Sequence, residues 1–136
     1  MLKPAGLEAS RGLITALYAK EITDPQWKND KGMQDWLAWM KKYYPEGALD
    51  DQANAYAYTV AQTMVHVLKQ CGNDLSRANI MRQAANIKNL ELPLLLPGIK
   101  INTSPTDYAP IEQEQLAKFD GERWALFGEL YDASKK

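Results

Sequence analysis

Hydrophobic and polar positions alternate between two periods along this chain. The first apolar stretch, Gly12 to Ala19, is short and rich in β-formers, with Gly12 on one side and Asp24-Pro25 on the other; it predicts a buried strand over Leu13 to Tyr18. Lys20 to Lys31 is a polar loop interrupted by Pro25 and Trp27. Asp30 then stands as an N-cap before Met33, Trp36, Leu37, Met40 and Tyr44, whose three- and four-residue spacing makes one helical stripe that Pro45 and Gly47 stop. Asp50 or Asp51 opens a second helix. Its apolar face is Ala53, Tyr56, Ala57, Val60, Ala61, Met64, Val65 and Leu68, and Gly72 sits where a left-handed C-cap is expected. Ala53, Ala57 and Ala61 lie four apart, so another backbone can approach there. Ser76 caps a third helix with Ile80, Met81, Ala84 and Ile87 inward.

The character then changes. Two prolines keep Leu92 to Gly98 from forming one regular element. Ile99 to Thr103 reads as a short strand and Thr103 to Pro110 as a turn-rich loop. Asp120-Gly121, between Gln115–Phe119 and Glu122–Phe127, favours a two-residue type I′ hairpin, in which Phe119 faces Glu122 and Ala117 faces Trp124. The order is strand, three helices, short strand, hairpin, which is an α/β chain. Its helices carry more apolar face than so small a sheet can cover, so the chain reads as part of something larger.

Composition narrows the classes. Of 136 residues, 46% are hydrophobic and 24% charged, enough for one globular domain burying roughly two-thirds of its unfolded surface. Net charge is -1, with no basic field to hold nucleic acid. No apolar run approaches the ~20 residues that span a bilayer, and Met1 to Arg11 has no apolar core of a signal peptide. Cys71 is alone, so no intramolecular disulfide forms, and one His with one Cys excludes a structural zinc site. No cofactor or metal is implied.

Candidate chemistry is sparse. His66 lacks a nearby nucleophile or orienting carboxylate and reads as a structural or surface residue. Cys71, before Gly72, reads as a half-buried bystander rather than a reactive thiol. Asp50 and Asp51 suit a helix N-terminus, and Glu112 and Glu114 a solvent-facing alternation before the hairpin. GxGxxG, GxxxxGK[ST], GxSxG and HExxH are all absent. These observations point away from an enzyme. The tyrosines are more informative, because each offers an apolar face and a hydroxyl. Tyr43, Tyr44, Tyr56 and Tyr58 surround a Pro-Gly loop, and Tyr18 ends the first strand. Tyr44 and Tyr56 read as core packing, and Trp27 and Trp36 as core or rim. Tyr18 and Tyr58 are evenly placed between core and pocket.

Several stretches together resemble one family: Gly6 to Ile14 leading through Tyr18 to Asp24-Pro25; Trp36 to Pro45, ending in an aromatic pair and proline; Asn54 to Tyr58, opening a helix that closes at Leu68 to Gly72; Leu95 to Tyr108; and Gln113 to Leu116 running into Phe119 to Trp124. Their order and spacing, more than any one motif, make the chain similar to the C-terminal third of type I periplasmic binding proteins of the branched-chain amino acid transport class. The resemblance implies two α/β lobes with parallel sheets joined by three crossovers, a small ligand in the interlobe cleft, and docking of the closed form on an ABC permease in the membrane. It implies a periplasmic location and a ligand such as a branched-chain or other amino acid, or an aromatic acid. Residues 1–24 and 98–136 then correspond to second-lobe and crossover strands, and 25–97 to helices returning to the first lobe. The signal peptide and the first lobe's opening sheet have no counterpart here. Tyr18, near a crossover, and Tyr58, at the start of the second helix, are the candidate ligand contacts. A homodimer is expected to cover the exposed apolar helix faces. The alternative reading is a ligand-sensing receptor or regulator domain of the same fold.

Overall fold

The computed structural model describes residues 2–134. Three helices form where local capping dictates. In α1 (Lys31–Tyr43) the Asp30 carboxylate accepts the Met33 N–H at 2.9 Å, and Met33, Trp36 and Met40 are buried. Tyr44 leaves the helix at φ -144°, because a residue before proline disfavours helical backbone. In α2 (Gln52–Cys71) Asp51 is the cap, accepting the Ala53 N–H at 2.9 Å. In α3 (Arg77–Ala84) the Ser76 hydroxyl accepts the Asn79 N–H at 3.3 Å. Gly72 has the positive φ expected of it, +58°, but at ψ -128° it is not a left-handed helical cap.

The second helix turns a different face inward from the one its apolar residues suggest. Ala55, Val67 and Cys71 are buried, whereas Ala53, Tyr56, Ala57, Val60, Ala61, Met64, Val65 and Leu68 are all exposed. In α3, Met81 also points outward, and Asn79 takes the buried position. The reason is the end of α2: the Asn79 amide donates to the carbonyls of Cys71 (3.2 Å) and Asp74 (2.7 Å), while Arg82 and Gln83 donate to its Oδ1. A polar side chain that satisfies the orphan carbonyls of a helix end is stable inside.

β1 (Ile14–Leu17), β2 (Gln113–Phe119) and β3 (Trp124–Asp132) form one sheet in that order, antiparallel throughout. The parallel pairing implied by the family resemblance is not seen among the described residues. The hairpin exists, but its loop is four residues, not two. Asp120 Oδ1 accepts the N–H groups of both Glu122 and Arg123 at 2.9 Å, which holds an Asx-type turn open, and Gly121 supplies φ +108°. Phe119 therefore faces Trp124 and Ala117 faces Leu126. Because the slip is two residues, each side chain keeps its side of the sheet.

Ile99 to Thr103 is not a strand. Ile101 makes an isolated bridge with Leu90, Asn102 N–H bonds the Pro110 carbonyl, and Thr103 N–H bonds the Ile87 carbonyl. Successive residues serve different segments, so no ladder can propagate.

Two apolar clusters result. One gathers Val67, Cys71, Ile87, Leu95, Leu96, Ile99 and Ile101 under the sheet, and the other gathers Met33, Trp36, Met40, Ala55 and Leu94 between α1 and α2. They meet at the 93–95 segment, where Gly32 in the first turn of α1 lies against Pro93. A Cβ on Gly32 would come within 2.5 Å of the Pro93 Cβ and 2.8 Å of its carbonyl oxygen. Gly32→Ala must therefore push α1 off this segment, costing about 1–3 kcal/mol as overpacking does; chemical denaturation of the variant measures it.

Candidate functional site

The site is built where the chain leaves β1. Residues 18–20 run antiparallel to 94–96: Leu96 N–H donates to the Tyr18 carbonyl at 2.9 Å, Lys20 N–H donates to the Leu94 carbonyl at 2.9 Å, and Ala19 bridges Leu95. The outgoing and returning passages of the chain are thus zipped side by side. Gln52, at the start of α2, fastens them to the helix; its Nε2 donates to the Lys20 carbonyl and its Oε1 accepts the Ile22 N–H.

Lys20 is buried beside this junction. Its Nζ donates to the Pro93 carbonyl at 2.7 Å, pairs with the Asp30 carboxylate at 2.8 Å, and lies 5.1 Å from the Trp27 ring centroid. Burial pushes the Asp30 pKa up. Hydrogen bonds from Lys20 and the Met33 N–H, with the Lys20 charge and the Gly32 N–H, outweigh that and hold it below the ordinary carboxylate value. A depressed folded-state pKa contributes stability above the unfolded value near 4 and loses it as pH falls through the folded value. Acid unfolding of wild type should therefore show a component below about pH 4 that is absent from Asp30→Asn, read from denaturation midpoints across pH.

Between α2, α3 and the 94–111 segment lies a cleft of about 370 Å³. Tyr18 and Ala19 lie at the junction; α2 supplies Tyr56, Val60, Met64 and Val67 along one wall; Ile87, Leu95, Ile101 and Ile111 stand opposite. Its polar groups are few. Thr59 and Thr63 donate to the carbonyls one turn back in their own helix, at 2.9 and 3.0 Å, and Gln52 is engaged as described.

Of the two tyrosines singled out by the sequence, Tyr18 lines this cleft and Tyr58 does not. Tyr58 turns toward α1, its ring 5.3 Å from that of Trp39 and packed against the Trp36 cluster. The structure does not bring the pair together. Tyr56, expected in the core, is exposed and lines the cleft instead; Tyr44, also expected in the core, is exposed. Helical spacing marks Tyr56 and Tyr58 as different faces without saying which face is covered. Cys71 is buried, deeper than expected, and His66 is half-buried on α2. Asp51 is a helix cap, and Glu114 faces solvent on β2. Among the described residues no group of His, Cys, Asp and Glu could hold a metal ion, and no helix is long and apolar enough to cross a membrane.

No family profile matches the chain, and no curated protein matches it. A solved structure does: that of a branched chain amino acid ABC transporter from Thermus thermophilus with bound valine, at a TM-score of 0.67 and 14% identity, covering 98% of this chain. The chain has the fold of part of a periplasmic binding protein. It spans 36% of the length of that neighbour.

Proposed function

We propose that this chain is part of the solute-binding component of an ABC importer, with residues 1–24 and 98–136 in the second lobe and its crossovers and 25–97 in the first lobe. The observation that carries the reading is the structural match over nearly the whole chain to a transporter protein holding valine. The ligand is an amino acid or an aromatic acid in the interlobe cleft, with Tyr18 beside the crossovers as this chain's contact; Tyr58 contributes through the α1–α2 packing that shapes the first-lobe side. The parent protein acts in the periplasm and delivers its ligand to a membrane permease.

Two open apolar faces support a place in a larger body. One is the exposed stripe of α2. The other is the outer face of the sheet, where Leu116 stands opposite Phe127, with Ile14 and Tyr131 also exposed. Faces of this kind on soluble proteins mark contact surfaces. In isolation the chain forms a homodimer through the sheet's outer face; light scattering showing a stable monomer at micromolar concentration contradicts that.

Titration calorimetry tests the function. This chain alone should bind valine, leucine or benzoate no tighter than about 1 mM, and a two-lobed polypeptide containing it should reach the micromolar range, a gain of about 4 kcal/mol. A two-lobed polypeptide that binds none of them removes the importer reading. Micromolar affinity in the chain alone would place the polar contacts within it.

A further inference from the structure

We infer that residues 21–29 form a strap over the junction of the two passages, closed by the ion pair between Asp24 and Arg123, and that this pair controls access to the buried ammonium of Lys20. The strap leaves the junction at Lys20 and rejoins it at Asp30, and those two side chains meet at 2.8 Å. Its backbone hydrogen bonds close on themselves: the N–H groups of Asp24, Trp27, Lys28 and Asp30 donate to the carbonyls of Glu21, Asp24, Pro25 and Trp27. Its hydrogen bonds to the helices are long, 3.4 Å from the Ile22 N–H to Gln52 and 3.5 Å from Gln34 to the Lys28 carbonyl. Such a segment can lift as a unit without unravelling. Trp27 packs against both apolar clusters and lies 5.1 Å from Lys20 Nζ, so the closed strap shields that ammonium from water.

The tip of the strap is held by charge. Thr23, Pro25 and Gln26 are exposed, yet the Asp24 side chain among them keeps only 1% of its surface in solvent. Its carboxylate accepts the Gln26 N–H at 2.9 Å and the Gln26 Nε2 at 2.7 Å, both from within the strap. The cation that faces it is Arg123 of the hairpin turn, 3.7 Å away, which draws the tip onto the sheet. Burial of Asp24 strengthens this attraction beyond that of a pair wholly in water. The hold is still releasable. Arg123 is half-exposed and stands equally 3.7 Å from Asp120 in its own turn, so a second carboxylate competes for it and salt screens it.

Reductive methylation of this chain, read at each lysine by peptide mass spectrometry, reports the opening. Buried Lys20 should react at least about tenfold more slowly than exposed Lys31 in the same molecule. Arg123→Ala should speed Lys20 about five- to tenfold, the worth of an ion pair between the surface and buried limits, and leave Lys31 unchanged. Asp24→Asn keeps an oxygen for the Gln26 donors and removes the charge. It should match Arg123→Ala, and the double variant should be no faster than either. Arg123→Lys, which keeps the charge, should stay near wild type. In the unsubstituted chain, about 1 M salt, where the screening length falls to roughly 3 Å, should speed Lys20 relative to Lys31, and both charge-removing variants should lose most of that dependence. The salt series needs no substitution, so it decides even where a variant fails to fold. A Lys20 rate indifferent to salt and to Arg123→Ala overturns the inference, as does a double variant that opens by the sum of the singles. None of these outcomes depends on amino-acid capture by a two-lobed polypeptide.

Discussion

Trp36→Ala lowers the unfolding free energy by about 3–5 kcal/mol, as truncation of a fully buried aromatic does. Trp36 has no exposed surface and stands at the centre of the cluster of Met33, Met40, Ala55 and Leu94, so it joins α1 to both α2 and the returning passage. Those neighbours belong to three segments fixed elsewhere, which prevents collapse into the hole. A domain with a total stability of roughly 5–15 kcal/mol has little left after such a loss. Trp36→Phe should cost much less than Trp36→Ala. It keeps an aromatic ring in place and removes an indole N–H that is buried without a partner in the described residues. Urea denaturation of both variants measures the effect. A Trp36→Ala cost below about 1 kcal/mol would mean that this cluster does not hold the helices together.

The second large effect sits at Lys20. Asp30→Asn keeps an N-cap of equal quality but removes the partner of a buried ammonium, so its cost reports the charge rather than the cap. Breaking such a pair typically costs about 3–5 kcal/mol. The lower end applies here, because the Asp30 side chain keeps 27% of its surface in solvent. Lys20→Met added to Asp30→Asn should recover part of that loss, since a thioether chain fills the space beside Trp27 without a stranded charge. Thermal unfolding of the two single variants and the double variant gives the coupling. A double variant that is merely the sum of the singles would show that Lys20 and Asp30 act independently.

Local chemistry was legible in the sequence; the choice of face was not. Asp30, Asp51 and Ser76 cap the helices because a short oxygen-bearing side chain before a helical run has one obvious use. The stripe Met33, Trp36, Met40 was readable because α1 has a single apolar side. Helix α2 is apolar almost all round, so periodicity could not choose, and its covered side is set by Asn79 and the Leu94–Leu95 passage, which lie far along the chain. Asp120-Gly121 marks the hairpin but not its register, because Asp120 bonds backbone N–H groups beyond the glycine. Tyr18, evenly placed between core and pocket by its sequence, lines the cleft, whereas nothing in the sequence marks Lys20, two residues on. A lysine in a polar loop gives no sign that a carboxylate, a carbonyl and an indole will close around it.

The sheet has a kinetic consequence. β2 and β3 are neighbours in sequence and can zip as soon as their turn forms. Ile14 must instead find Lys118, and Leu17 must find Gln115, across almost the entire polypeptide. Closing a loop of roughly a hundred residues before any contact rewards it is slow compared with helix or hairpin formation. The docking of β1 is therefore a late event, and the hairpin spends the interval with one long flank bare. Until that moment β1 has no partner on the sheet, and synthesis must reach the hairpin before β1 has a place to go.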